Sequence, residues 1–279
     1  MSYNKGIFPN EAKTNNKLKP FIIAFAVFII ILSVCSMFLF MYSLDFDINN
    51  LVESTTVQEE TITQEPEPVY SVDSLSGNSN VMFIITDNDD KVQSVFCTLV
   101  DFDNKTFKVK QVNGDAQYLY GKTYKSINGI YTEFSEVGVA EFFSEKWSIS
   151  VDKYAVFKMS DLRKFLSSFN GITVNVSENV NYKSSDFNLE LSKGKQELSG
   201  EKALNYLMIC DDKEQVLCDI VASVLKADYM EKSESLFKKF ANLSKTDISV
   251  IDFFDSVKTL ETYCYADDKF LPEPFADGE

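Results

Sequence analysis

From Asn80 to Asp115 the chain reads NVMFIITDNDDKVQSVFCTLVDFDNKTFKVKQVNGD. NVMFIIT, ending at Thr86, and SVFCTLVDF, Ser94 to Phe102, are nearly unbroken apolar runs bounded by polar residues. Runs of that length read as strands covered on both faces, because a half-exposed strand would alternate. Asp103-Asn104-Lys105 is a turn signal, and TFKVKQV after it does alternate, as a half-exposed strand should. The second and third runs therefore form a hairpin.

Strands and helices then alternate along the chain. Glu133 to Trp147 is predicted helical despite Gly138, and VDKYAVFKM, Val151 to Met159, is a strand. In SDLRKFLSSFNG, Ser160 caps a helix, Leu162, Phe165, Leu166 and Phe169 share one face, and Gly171 stops it. ITVNV, Ile172 to Val176, is a further strand. Within GKQELSGEKALNYLMICDDK, Gly194 to Lys213, Ser199 caps a helix whose polar positions give way to Leu207-Met208-Ile209-Cys210. Apolar stripes at Val216, Leu217, Ile220, Val221, Val224 and Leu225, and at Leu236, Phe237, Phe240 and Leu243, mark two more helices. LPEPFADGE, residues 271–279, has two prolines and reads as a loose tail. This order predicts an α/β fold, a central mixed sheet with helices on both faces (an α-β-α sandwich), over residues 80–270.

Upstream, Phe21 to Leu44 carries no charge over twenty-four residues. A bilayer core needs about 20 apolar residues in a helix. Lys5, Lys13, Lys17 and Lys19 precede this run, whereas Asp45, Asp47 and Glu53 follow it. The expectation is a cytoplasmic tail (1–20), one signal-anchor transmembrane helix (21–44), an extended linker (45–79) and an extracytoplasmic domain. The protein would then reside in the cell membrane as a single-pass protein.

The chain holds 27 basic and 42 acidic residues, a net charge of −15. Setting aside the four lysines and one glutamate before the apolar run, 23 basic and 41 acidic residues remain, a charge of −18 outside. Nucleic acid is excluded as a partner, since phosphate contacts need a basic face. Histidine is absent, which removes Ser-His and Cys-His nucleophile pairs and His-ligated metal sites. Cys97, Cys210, Cys218 and Cys264 follow the span; they allow three pairings into two disulfides, or stand as buried free thiols. No CxxC pair, glycine-rich phosphate loop or GxSxG elbow occurs.

Three stretches in order carry a family likeness: Asn80–Asp115 quoted above, KSINGIY from Lys125, and DKYAVFKMSDLRKFLSSFNGITVNV followed by GKQELSGEKALNYL. Together they resemble the LytR-CpsA-Psr family over roughly Asn80 to Lys226. The resemblance implies transfer of an anionic glycopolymer from a polyprenyl-pyrophosphate carrier to peptidoglycan. Such a carrier needs forked guanidinium donors, magnesium held by carboxylates, and an apolar slot for the lipid.

Residue by residue, the family's first-strand Asp falls on Asp87 and is kept. Its Arg-Ser-Asp-Thr stretch falls on Lys91-Val92-Gln93-Ser94, which exchanges the arginine for lysine and a carboxylate for an amide. Its Pro-Arg-Asp stretch falls on Asn113-Gly114-Asp115, and its lysine-x-asparagine motif survives approximately as Asn128 behind Lys125. The paired arginines fall on Met208 and Cys210, and EQVLCDIVASVLK after them has none; Arg163 is the single arginine of the chain. A hydrogen bond to a charged group contributes about 1.5–3 kcal/mol. Losing several therefore removes on the order of 5 kcal/mol, a rate loss of several thousandfold.

The resemblance thus implies a degenerate active site with no catalytic residue, no metal ligand and no cofactor. Asp87, Lys91, Asp115 and Asn128 remain as ligand-binding positions. The implied partners are the membrane, a polyprenyl lipid or cell-wall glycan held in an apolar slot near Met208, or an envelope protein. The alternative is a divergent, active phosphotransferase in which Asp87, Asp89, Asp90 and Asp115 hold magnesium.

Overall fold

In the computed structural model, residues 68–185 and 187–276 are described. The expected anchor helix, residues 21–44, and most of the expected linker lie outside them. Among the described residues no helix is long and apolar enough to cross a membrane.

The first three runs form an antiparallel meander: β1 (Asn78–Thr86), β2 (Val92–Asp101) and β3 (Thr106–Asn113). A hairpin, β4 (Gln117–Tyr120) with β5 (Thr123–Ser126), leads into helix α1 (Ile127–Trp147). The chain then returns as β6 (Lys153–Lys158), parallel to β1. A parallel return needs a long crossover, which β2 through α1 supply. Helices α2 (Met159–Leu166), α3 (Gly200–Ile209), α4 (Lys213–Val224), α5 (Ser233–Leu243) and α6 (Val250–Tyr265) follow. β11 (Ser244–Thr246) pairs antiparallel with β6, and β12 (Glu273–Pro274) runs parallel beside β3. The mixed sheet has the order β11-β6-β1-β2-β3-β12.

Side-chain alternation divides the sheet between two apolar clusters. Met82, Ile84, Val95 and Cys97 pack with Ile127, Ile130, Val139, Phe142 and Phe143 of α1. Ile85, Phe107, Val109 and Phe157 pack on the other side with Leu162 and Leu166 of α2, Leu204 of α3, and Leu217 and Ile220 of α4. Both faces of the sheet are covered, as the unbroken apolar runs required.

Several local expectations are corrected. Lys158, not Ser160, is the N-cap of α2, with no side-chain cap bond, and the helix ends at Leu166, before Gly171. Gly171 has φ +69 and instead turns the chain into β7 (Ile172–Val176). β7 does not join the central sheet; it pairs with β10 (Gly194–Leu198) in a separate ribbon, and between them β8 (Val180–Lys183) pairs with β9 (Asn188–Leu191). Helix α1 begins six residues before Glu133, capped by the Ser126 hydroxyl, and breaks its regular geometry at Ser135 (φ 56). The expected linker reached residue 79, yet Val72 is fully buried and β1 starts at Asn78. Within the expected loose tail, residues 273–275 are fixed: β12 pairs with β3 and the Phe275 N–H donates to the Val109 carbonyl. Helix α6 was not anticipated; its start is a reciprocal capping box between Ser249 and Asp252.

Chain segments far apart in sequence meet ahead of β1. Tyr70 stacks on Tyr265 with ring centres 5.0 Å apart. The Ser71 hydroxyl (2.7 Å) and the Val72 N–H (3.1 Å) both donate to the Asp268 carboxylate. Cys97, Cys210, Cys218 and Cys264 are all buried and free.

Candidate functional site

The turn from β1 into β2 is built around Asp87. Its N–H donates to the Lys91 carbonyl at 2.9 Å, and its carbonyl accepts from Asp90 N–H at 3.3 Å. The carboxylate closes the same turn: Oδ1 accepts from the N–H groups of Asp89 and Lys91, each at 2.9 Å. Its Oδ2 accepts from the Gln93 amide at 3.0 Å. A carboxylate that accepts local backbone N–H bonds in this way stabilises a turn by itself.

The end of β3 lies against this turn. Gly114 N–H donates to the Gln93 carbonyl at 3.0 Å. The approach is so close that a Cβ on Gly114 would sit 1.9 Å from the Val92 carbonyl oxygen, so only glycine fits. Asn128, in the first turn of α1, fastens both sides: its N–H donates to the Gly114 carbonyl (2.9 Å) and its Oδ1 accepts from Val92 N–H (3.0 Å). Lys91 Nζ reaches the Asp115 carboxylate at 3.0 and 3.3 Å. Asp87, Lys91, Asp115 and Asn128 are thus brought together. Asn128 bonds to backbone on both sides and acts as a tie between elements, while Lys91 and Asp115 form an exposed ion pair.

Beside this corner, on the face covered by α2, α3 and α4, lies a cavity of about 400 Å³. Asp87, Gln93, Ser94, Gln111, Asn113 and Asp115 form its polar end, and Lys213 contributes an ammonium. Phe96, Met159, Leu204, Leu207, Met208 and Leu217 form its apolar walls. A cavity of this size, apolar along its walls and polar at one end, has the form of a small-molecule site. Phe96 is held flat against its cross-strand partner Phe83, ring centres 4.7 Å apart. Glu214 fixes α4 beside β3, accepting from Gln111 N–H at 2.9 Å and pairing with the buried Lys110 at 3.3 Å.

Met208 lines the cavity and is 40% exposed. Cys210 points elsewhere: it is buried, its thiol donates to the Leu207 carbonyl, and burial pushes its pKa up to about 11. Arg163 binds Glu201 (3.2 Å) and Asn205 (2.8 Å) across α2 and α3 and does not line the cavity. Lys125, ahead of Asn128, pairs with Glu133 and lies over the Phe134 ring. Gln111, Phe96 and Lys213 were not anticipated at the site. The signal for Phe96 and Gln111 was present in strand alternation, because they share the face of Ile85 and Ser94, whereas Lys213 opens helix α4 and has no such pattern.

The carboxylates at this corner already have partners within the protein. Both Asp87 oxygens already accept hydrogen bonds, Asp115 is paired with Lys91, and Asp90 is paired with Lys158 at 3.1 Å. Among the described residues, no three histidine, cysteine, aspartate or glutamate side chains cluster to hold a metal ion by protein ligands alone.

Solved structures share the fold. A protein from Eubacterium siraeum aligns with TM-score 0.61 at 18% identity, covering 80% of this chain and 89% of its own. Bacillus subtilis TagV aligns with TM-score 0.58 at 19% identity, over 72% of this chain and 85% of its own. TagT, in a structure bound to LIIa-WTA, aligns with TM-score 0.52 at 17% identity, over 74% and 83%. Among curated proteins none matches the chain in sequence. The LytR_cpsA_psr family model matches residues 52–265, more than half of the chain and all of the cavity wall. The chain therefore belongs to the LytR-CpsA-Psr family.

Proposed function

We infer that the protein is a cell-envelope binding module: a member of its family that has kept the cavity and lost the transfer chemistry. Residues 21–44 anchor it in the membrane with the domain outside. The cavity holds an amphiphile, a polyprenyl-linked or wall glycan, and the surrounding surface meets an envelope protein. No cofactor is required for this role.

One observation carries the reading. The cavity is open and apolar-walled, while the two positions where the resemblance expects arginines hold Met208 at its lip and the buried Cys210. A forked guanidinium gives two parallel charge-assisted bonds to a phosphate; a thioether gives none. Lys213 is a point charge against the carboxylates of Asp87 and Asp115. The apolar wall is independent of those lost groups, so lipid binding outlives catalysis. TagT bound to LIIa-WTA supports a ligand of this kind, through shared fold alone.

The test is native mass spectrometry of the full chain extracted in detergent, with lipid analysis of whatever remains bound. A co-purifying isoprenoid, phosphorylated or not, supports the reading. Magnesium-dependent turnover of a polyprenyl-pyrophosphate-linked saccharide, lost in Asp87→Ala, would instead establish the active phosphotransferase. That rival draws on the presence of Asp87 and Asp115 at one end of the cavity.

A further inference from the structure

A second concavity lies on the other face of the sheet and at its other end. β1 runs from Asn78 to Thr86, so about 25 Å of strand separates it from the Asp87 corner. Its floor is bare sheet. Asn78 opposes Asp101 and Asn80 opposes Leu99 across β1 and β2, while Asp101 opposes Thr106 and Leu99 opposes Lys108 across β2 and β3. Directly opposed residues share a face. Met82 and Cys97 come next along that face and pack under α1, but the helix ends at Trp147 and leaves the polar stretch uncovered. Trp147, Ile149 and Phe275 wall this floor into a groove of about 350 Å³.

The groove is held in shape by the protein. The Trp147 ring packs against Phe142, ring centres 5.3 Å apart, and the Phe275 N–H donates to the Val109 carbonyl at 3.0 Å. The Asn80 amide donates to the Ser150 carbonyl at 2.8 Å. The Asp101 carboxylate accepts from the Asn104 N–H at 2.9 Å and from its amide at 2.8 Å.

This chemistry selects among ligand classes. A lipid chain would strip water from the polar floor and return no hydrogen bond. A charged ligand meets Asp101 and Lys108 together, so neither sign is favoured. An extended peptide has no strand edge to join, because β12 already pairs with β3 at Lys108 and Val109. A sugar ring fits. Its hydroxyls donate and accept, as do the asparagine amides and the Thr106 hydroxyl, and its C–H groups can lie on Leu99, Trp147 and Phe275. The groove is open to solvent, which suits a ring inside a longer chain better than a small molecule that must be enclosed.

We propose that this groove is a second binding site, for uncharged sugar rings within a linear glycan. It is separate from the amphiphile cavity and does not depend on that reading.

The experiment uses the full chain in phosphatidylcholine nanodiscs and calorimetric titration with cellotetraose, chitotetraose and tetragalacturonate. At least one of the two neutral tetrasaccharides is expected to bind about tenfold or more tightly than the charged one. Thr106→Arg, which fills the groove, is expected to abolish that binding. Asn78→Ala is expected to weaken it about threefold to tenfold, the size of one neutral hydrogen bond. Asn78 is exposed, so its variant serves alone if Thr106→Arg lowers the melting transition. Binding of neither neutral sugar, binding of tetragalacturonate as tight as theirs, or neutral binding unchanged in Asn78→Ala overturns the proposal.

Discussion

Gly114 has no room for a methyl group, and this single restriction holds the corner between Asp87 and Asp115 together. Its missing Cβ lets β3 approach the Val92 carbonyl, and Asn128 closes the contact from both sides. Gly114→Ala is expected to destabilise the protein by about 1–3 kcal/mol, the usual range for forced overpacking. Asn128→Ala leaves the Val92 N–H without its acceptor, a loss of about 1–3 kcal/mol. Urea unfolding of each variant measures both; wild-type midpoints would show that the corner relaxes freely. The sequence placed Asp87, Lys91, Asp115 and Asn128 as ligand groups through family likeness, and they do assemble at one corner. What it could not display is their engagement: hydrogen bonds between residues 24 or 36 positions apart depend on the meander having formed. A position can thus keep the family's residue type while its polar atoms serve the scaffold.

At the scale of elements, α6 shows how a helix escapes pattern reading. Its buried residues include Phe253, Tyr263 and Cys264, but Val250, Ile251 and Phe254 are exposed, which blurs the apolar stripe. The start signal was legible in Ser249 and Asp252 and went unused. The Ser249 hydroxyl, its backbone N–H and then the Lys153 ammonium hold the Asp252 carboxyl at about 2. A depressed carboxyl pKa stabilises the fold above the unfolded value, ~3.9, and that contribution disappears as pH falls through about 2. NMR titration of the Asp252 carboxyl should therefore show it ionised at pH 3. Ser249→Ala is expected to raise its pKa and to destabilise the helix start by about 1 kcal/mol. An ordinary midpoint near that of a free aspartate in the wild type would refute the cap. The misassigned start of α2 has a different cause: Ser160 follows a residue already helical, so the backbone decides the boundary before the side chain can.

For the whole molecule, unbroken apolar strands announced a sheet packed on both faces, and the two clusters bear that out. Which strands belong to the sheet was not legible, because β7 is as apolar as its neighbours and the choice rests on what β10 pairs with. The cysteines belong to this scale as well. Burial pushes Cys210 and Cys264 up to about 11 and Cys218 to about 12, and raises Cys97 further. A thiol reacts as its thiolate, so all four are expected to resist alkylation at pH 8 until the protein unfolds. Iodoacetamide labelling with peptide mapping, with and without urea, checks this; rapid labelling of any of the four in the native protein would contradict the packing described.

The clasp of Tyr70, Ser71 and Val72 against Tyr265 and Asp268 gives the domain a mechanical character. Tension applied along the chain from residue 68 first meets that clasp, then β1. β1 lies inside the sheet, bonded to β2 on one side and β6 on the other, and its far end turns at Asp87 beside the cavity. A load between the chain's start and a ligand gripped in that cavity would run lengthwise through β1, shearing two ladders of bonds at once instead of peeling them singly. Force entering at residue 68 would thus be shared between both neighbours of β1.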